Sequence, residues 1–371
     1  MIRRRVLLAA TLAFAVGISA WTPERVATAQ LPTRLSDAEF WRLVEDFSEA
    51  NGFFRSDNLV SNEDTYQFVI PDLIRIVRPG GVYVGVGPDQ NFTYIVALRP
   101  RIAFIPDIRR GNLQLHLMYK ALIELSADRA EFLSRLFSRR RPPGLGPTST
   151  PEQLFAAYSM VGPSREYYEE NLKAILDVLG GRHQFQLDPE DIAGITYVFG
   201  NFYGGGPSLA YSSGGGAGRG RGRYPTYQDL QMATDGDGLN RAYLATEENF
   251  RILKGIQQNN LIVPLVGNFA GPKALRSVGA YLKAHGAIVR AFYTSNVEQY
   301  LFQDRRWPEF ARNVATLPQD ASSTFIRSCF NNCSPNFGYR SLTMLGPMSA
   351  LVRDFEAGRI GTYWDVLSHR R

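Results

Sequence analysis

The chain has 371 residues, of which 44% are hydrophobic and 12% aromatic, and this is enough apolar side chain to build a large buried core. The composition therefore argues against a disordered chain and predicts a globular protein. The formal charge of +6 is small for this length and does not indicate a nucleic-acid-binding protein. We expect no nucleic acid as a partner.

The first 29 residues have the pattern of an export signal. Arginines at positions 3–5 precede an apolar run at residues 6–20, and "ATAQ" then offers a cleavage point after Ala29. The run is shorter than the roughly 20 residues that a membrane-spanning helix needs. We predict that residues 1–29 are a signal peptide and that the mature protein is periplasmic or secreted. The alternative is that an uncleaved segment anchors the protein in the membrane.

Helices and short strands alternate in the first part of the mature chain. Ser36 and Glu39 have the spacing of a capping box before a first helix, and Pro71 bends or restarts a second. "GVYVGVG" and "RIAFIPDI" then predict strands, and "NFTYIVAL" and "NLQLHLMYKALIELS" predict helices. Such alternation is typical of a parallel sheet with right-handed crossovers.

The middle of the chain is predicted to interrupt this sheet. Helical patterns from about residue 127 to about residue 200 predict a helical insertion. Residues 204–224, "GGGPSLAYSSGGGAGRGRGRY", are of low complexity and predict a mobile, Gly-rich loop. Its Gly-Arg end is similar to RNA-binding segments, which usually come in longer arrays. A lid near a site and a plain surface insertion both stay open.

The alternation returns after this insertion. "LIVPLVGNF" and "AIVRAFYTSN" predict strands, and the intervening "GPKALRSVGAYLKAHG" predicts a helix. "TEENFRILKGIQQNN", with Thr246 as its cap, and "VEQYLF" predict two more helices. We therefore predict that residues 30–371 form one α/β domain with a doubly wound, mostly parallel, Rossmann-like sheet.

Two cysteines, Cys329 and Cys333, occur in "CFNNCSP". An oxidising compartment favours a disulfide that closes this short loop. The alternative is a metal site, but two thiols with scattered histidines do not supply the four ligands of structural zinc. We predict a disulfide and no metal.

The four predicted strands end in polar, turn-forming sequences, "GVGPDQ", "IPD", "VGNF" and "YTSN". Doubly wound sheets bind ligands at the carboxyl ends of their strands, so we expect a small-molecule site there. A ring in "VFGNFYGGG" is also well placed to face a ligand. The residues expected to line the site are Gly85, Gly87, Asp89, Gln90, Asp107, Asn268, Ser295, Asn296 and Tyr203.

The order of these elements resembles that of class I S-adenosylmethionine-dependent methyltransferases. In that family a glycine-rich turn after the first strand contacts the methionine part of the cofactor, and an acid that ends the second strand binds the ribose hydroxyls. The resemblance implies S-adenosylmethionine as cofactor, with Asp107, 20 residues beyond Gly87, at its ribose. Gly85, Gly87, Asp89 and Gln90 would border its methionine part, where glycine lets the backbone approach.

The resemblance also implies roles for the late strand ends. Asn268, Ser295 and Asn296 would orient a methyl acceptor, and no residue is singled out as catalytic. The alternative is a non-catalytic exported binding or interaction module that keeps the fold. One reason for this alternative is that Tyr83 stands where the family has an acid, and Asp89 where it has its third glycine. The other reason is the export signal, since S-adenosylmethionine is made in the cytosol. A Ser-His-acid hydrolase also stays open, although the chain has no G-x-S-x-G motif.

Overall fold

The computed structural model describes residues 30–211, 224–330, 333 and 340–369. The predicted signal peptide at residues 1–29 and residues 212–223 of the predicted Gly-rich loop lie outside the described residues. Within the described residues, no helix combines the length and the apolar character needed to cross a membrane.

A mostly parallel sheet lies at the centre of the described structure. Its strands are β1 (Val82–Val84), β2 (Ile102–Asp107), β3 (Ile262–Val266), β4 (Val289–Ser295), β5 (Thr324–Phe330) and β6 (Ser341–Pro347). The described strands lie in the order β3-β2-β1-β4-β5-β6, and each neighbouring pair is parallel except β5 and β6, which are antiparallel. The prediction of a mostly parallel α/β sheet is therefore confirmed.

Burial explains which strands the sequence predicts. Every residue of β1, β2 and β3 is buried, so these strands are short apolar runs. β5 is buried except at half-buried Phe330, but it contains Arg327 and Ser328 and therefore lacks the continuous apolar run that predicts a buried strand. β5 and the antiparallel β6 were not predicted.

Helices flank the sheet, and the first two begin as predicted. Ser36 and Glu39 form the capping box of the first helix, and Pro71 lies in the first turn of the second. The described helices are α1 (Asp37–Phe47), α2 (Ile70–Ile76), α3 (Gln90–Leu98), α4 (Arg110–Leu125), α5 (Arg129–Leu136), α6 (Pro151–Ser159), α7 (Arg165–Leu176), α8 (Pro189–Gly205), α9 (Tyr227–Met232), α10 (Glu247–Gln258), α11 (Ala274–Ala284), α12 (Val297–Gln303), α13 (Trp307–Thr316), α14 (Met348–Glu356) and α15 (Tyr363–Ser368).

The segment from about 127 to about 200 contains α5, α6, α7 and most of α8. The helical path of α7 continues as a π-helix, Asp177–Arg182, through the glycines at 180 and 181. The predicted loop at 204–224 also begins as helix, because α8 extends to Gly205 and a 3₁₀ turn follows at Gly206–Ser208. Buried Phe202 and Leu209 hold this part of the chain against the core.

Cys329 and Cys333 form the predicted disulfide, with their Cα atoms 5.7 Å apart. Cys329 is the last residue but one of β5, and it packs with Met344 and Leu367 in a small hydrophobic cluster. The bond therefore fixes the chain where it leaves β5. A disulfide of this kind is compatible with an extracellular location.

Candidate functional site

A cavity of about 210 Å³ opens at the carboxyl ends of β1, β2, β3 and β4. Each of the four predicted strand ends contributes to its wall, so the expected convergence on one edge of the sheet is present. The residues of the sequence prediction that line it are Gly87, Gln90, Asp107, Asn268, Ser295 and Asn296.

Asp89 does not line this cavity, contrary to the expectation. Its side chain is 2% exposed and turns into the core, where its Oδ2 accepts hydrogen bonds from Gln231 Nε2 at 2.9 Å and from Tyr243 Oη at 3.0 Å. Burial raises the pKa of Asp89 to about 7, against the opposing effect of the Tyr243 hydrogen bond. The neighbouring Gln90, which begins α3, faces the cavity instead.

Tyr203 is also absent from the residues that line the cavity in the described structure. It lies in α8 and packs on Tyr168 of α7, with the ring centroids 4.7 Å apart. The two glycines that follow it continue the helix as far as Gly205.

Asn91 holds the glycine turn after β1. Its Nδ2 donates to the carbonyl oxygens of residues 86–88 at 2.9, 3.1 and 2.7 Å. Gly87 has a φ of 78°, in the left-handed region that disfavours residues with a Cβ. Gly85 lies outside the lining of the cavity, and a Cβ there would overlap the side chains of Asn91 and Tyr83. Gly87 thus borders the cavity, whereas Gly85 makes room for Asn91.

We expect Gly85→Ala to lower the free energy of unfolding by about 1–3 kcal/mol, the usual cost of overpacking, because the new methyl group displaces Asn91. Urea unfolding measures this. Gly111→Ala is the matched control, since a Cβ at Gly111 in α4 meets nothing within 4 Å and alanine favours the helix. Equal midpoints for Gly85→Ala and the wild type would contradict this account of the turn.

Asp107 joins the ends of β1 and β2. Its Oδ1 accepts the backbone N–H of Arg109 at 2.9 Å, and its carboxylate also accepts the backbone N–H of Gly87. Burial raises its pKa, and the charge of Arg109, whose Nε lies 3.6 Å from Oδ1, opposes that rise. The carboxylate at the end of β2 therefore lies beside the glycine turn, as the sequence predicts.

Glu63 is a buried acid of the cavity that sequence reasoning missed. It is 1% exposed, and its carboxylate accepts hydrogen bonds from the hydroxyls of Tyr293 at 2.6 Å, of Ser295 and of Ser328. Burial raises the pKa of Glu63, and the three hydroxyls act against the rise. It lies before α2 in "LVSNEDTY", whose lack of helical or strand periodicity offers no signal.

The end of β4 is distorted where it meets Glu63. Ser295 has a φ of 52°, unusual for a residue with a side chain, and the pairing of β4 with β5 shifts between Tyr293 and Ser295. Both residues donate hydrogen bonds to Glu63. Backbone outliers of this kind occur often at ligand-binding sites.

The mouth of the cavity is aromatic and its wall is acidic. The aromatic residues that line the cavity were not predicted from the sequence, and they are Phe53, Phe54, Tyr211, Phe269, Tyr293 and Tyr300. Its acids are Glu63, Asp107 and Asp304, and no Lys, Arg or His stands among its lining residues in the described structure. Nor do the described residues contain a group of three or more His, Cys, Asp or Glu side chains placed to bind a metal ion.

Glu49 fills the start of α11 beside the cavity. Its Oε1 accepts the backbone N–H of Lys273 at 2.8 Å and of Ala274 at 2.9 Å, and its Oε2 accepts that of Asn268 at 3.1 Å. The backbone of Val266 in β3 also bonds to residues 48 and 49. The protein's own carboxylate thus satisfies these amides.

The sequence matches a family described as Domain of unknown function (DUF7790) over residues 58–142 and 221–345. The chain belongs to this family. No curated protein matches the chain. The matched DUF7790 ranges contain all the residues that line the cavity except Phe53, Phe54 and Tyr211. They exclude α6, α7 and α8.

Proposed function

We propose that the protein is an exported, methyltransferase-like enzyme that binds S-adenosylmethionine in the cavity at the strand ends. The observation that carries the proposal is the position of Asp107, which ends β2, receives the backbone N–H of the Gly87 turn and lines the cavity. An acid in this place is what a ribose diol requires, because one carboxylate accepts two hydroxyl hydrogen bonds.

The topology supports a Rossmann-like sheet. The strand order β3-β2-β1-β4-β5-β6 is the order of doubly wound nucleotide-binding folds, and the cavity lies where the order reverses, between β1 and β4. Ligands of such sheets bind outside the carboxyl ends at this point.

The charge of the cavity supports a sulfonium cofactor over a phosphorylated one. Three carboxylates line it, and its described lining contains no basic side chain to neutralise a phosphate. The start of α11 is also closed to a phosphate, because the carboxylate of Glu49 already occupies its amides.

The side chains divide between cofactor and acceptor in this proposal. Asp107 binds the ribose, and the backbone at Gly87 approaches the methionine part, since no Cβ stands in the way. Asn268, Ser295 and Asn296 also line the cavity, and in this proposal they orient the methyl acceptor.

Calorimetric titration with millimolar S-adenosylmethionine tests the proposal. We expect binding to the wild type and binding at least about tenfold weaker to Asp107→Asn, which loses the charged hydrogen-bond acceptor. Asp46→Asn is the control, because that side chain is 61% exposed and does not line the cavity. The absence of both heat and a shift in melting temperature for the wild type would eliminate the cofactor from the proposal.

We propose a non-catalytic binding module as the second candidate, and the burial of Asp107 favours it. This side chain is 3% exposed and already engaged by Arg109 and Gly87, which leaves it less free to bind a ribose. Conversion of any bound ligand to product, abolished by Ser295→Ala, would exclude this candidate.

A further inference from the structure

We propose that the cavity binds an organic cation, either a protonated amine or an onium group, and that Glu63 is its counter-ion. The inference concerns the chemistry of the ligand and goes beyond the proposed function, because it requires neither methyl transfer nor S-adenosylmethionine.

The first support is that Glu63 is a buried acid without a cation. Hydroxyl groups of Tyr293, Ser295 and Ser328 surround its carboxylate, and among the described residues no Lys, Arg or His forms an ion pair with it. Two other buried carboxylates do have such partners: Glu298 pairs with Arg327, and Glu247 with Arg129. Buried Asp89, whose described partners are Gln231 and Tyr243, does not line the cavity. Buried charges in proteins are normally paired, and Glu63 lines a cavity from which a ligand can supply the missing charge.

The second support is an unsatisfied acceptor in the same cavity. Gln90 is 5% exposed, and its Nε2 donates to Tyr293 Oη at 2.6 Å. Its Oε1 is buried and has no hydrogen-bond partner in the described structure. An unpaired buried carbonyl is costly, so a ligand N–H or O–H that reaches it is favoured.

The third support is the aromatic mouth. Phe54 and Tyr300 lie edge to face, with ring centroids 5.2 Å apart, and Tyr211 stands with them around the opening. The ring of Tyr300 already forms a cation–π contact within the chain, because the guanidinium of Arg55 lies 5.7 Å from its centroid. Ring faces attract organic cations, and exposed Asp304 adds negative charge at the same opening.

The groups around Glu63 make the binding depend on pH. In the described part of the chain, the titratable side chains that act on its carboxylate are one acid and four tyrosines: Asp64, Tyr83, Tyr94, Tyr293 and Tyr363. Burial raises the pKa of Glu63, and a bound cation favours its ionised form. Cation binding therefore releases a proton, and the affinity rises as the pH rises through the pKa of Glu63 in the free protein.

A purely structural role for Glu63 predicts a different result. Its hydroxyl partners lie on β4 and β5, so it also fastens the segment before α2 to the sheet. If these hydrogen bonds are the whole role of Glu63, the affinity for a ligand should not depend on the charge of that ligand. The comparison of a cation with a neutral molecule of the same shape separates the two roles.

Calorimetry with choline and with its neutral isostere, in which a tert-butyl group replaces the trimethylammonium group, tests the proposal on the wild-type protein. We expect choline to bind at least about tenfold more tightly than the isostere, and more tightly at about pH 8 than at about pH 5. Equal affinities for the two molecules, or no heat with millimolar choline, would overturn the proposal.

Variants locate the counter-ion. Glu63→Gln is expected to lose at least about tenfold in choline affinity, while Asp304→Asn, at the mouth of the same cavity, changes it less than about threefold. Thermal melting checks that each variant folds. If Glu63→Gln does not fold, the isostere and pH comparisons on the wild type decide. A folded Glu63→Gln protein that binds choline as the wild type does would overturn the role of Glu63.

A parallel titration separates this inference from the proposed function. Choline binding without S-adenosylmethionine binding keeps the cation site and removes the cofactor. Equal affinity for S-adenosylmethionine and its neutral-sulfur product S-adenosylhomocysteine, with no preference for choline over its isostere, keeps the nucleotide site and removes the cation site.

Discussion

As the pH rises from about 4 to about 7, the free energy of unfolding of the wild type is expected to fall by about 4 kcal/mol because of Asp89, and Asp89→Asn is expected to abolish this fall. Burial raises the pKa of Asp89 from 3.8 to about 7, and a difference of about three pKa units corresponds to about 4 kcal/mol. The folded state holds this proton more tightly than the unfolded state. The stability that the proton contributes is complete below about pH 4 and is lost as the pH rises to about 7.

Urea unfolding of the wild type and Asp89→Asn at about pH 4 and about pH 8 measures this contribution. Glu63 and Asp107 also have raised pKa values, so the informative quantity is the difference between the two proteins and not the slope of either alone. Asp46→Asn, an exposed Asp-to-Asn change, should follow the wild type at both pH values. A pH dependence that Asp89→Asn leaves intact would show that Asp89 does not carry it.

Glu298→Gln is expected to lower the free energy of unfolding by about 3–5 kcal/mol, because it leaves the buried guanidinium of Arg327 without its counter-charge. Glu298 and Arg327 are both 1% exposed. Arg327 donates to both carboxylate oxygens, and Trp307 Nε1 donates to Oε1 at 3.4 Å. The pair joins α12, which forms one wall of the cavity, to β5.

Two comparisons isolate the buried charge. Asp72→Asn breaks a pair with Arg75 whose side chains are 57% and 76% exposed, and it should cost no more than about 1 kcal/mol. The double variant Glu298→Leu with Arg327→Met removes both charges and should recover most of the stability. A loss below about 1 kcal/mol for Glu298→Gln would contradict a dry environment around this pair.

The sequence predicts the first four strands because each is an apolar run between turn residues, and their order places Asp107, Asn268 and Ser295 on one edge. It does not resolve the turn after β1. Successive side chains there point in different directions, so that Asp89 enters the core while Gln90 reaches the cavity. Only the three-dimensional path of the turn distinguishes them.

The remaining part of the site lacks a local signal. Glu63 lies in a segment that is buried without being helix or strand, so neither period of apolar residues marks it. Its partners lie on β4 and β5. Ser328 follows Arg327 in β5, and these polar residues interrupt the apolar pattern by which a buried strand is predicted. Three segments that are distant in sequence form this cluster, so it cannot be predicted without knowing how the strands are arranged in the sheet.

The hydrogen bonds of residues 48 and 49 affect how a shortened protein would behave. β3 is an edge strand of the described sheet, and Ser48 Oγ and the Glu49 backbone bond to Val266 there. A fragment that starts at residue 58, where the family match begins, would lack Ser48 and Glu49. It would expose that edge and the backbone N–H groups that donate hydrogen bonds to the Glu49 carboxylate. Exposed edges pair with other chains, so we expect such a fragment to aggregate unless expression begins upstream of the first helix.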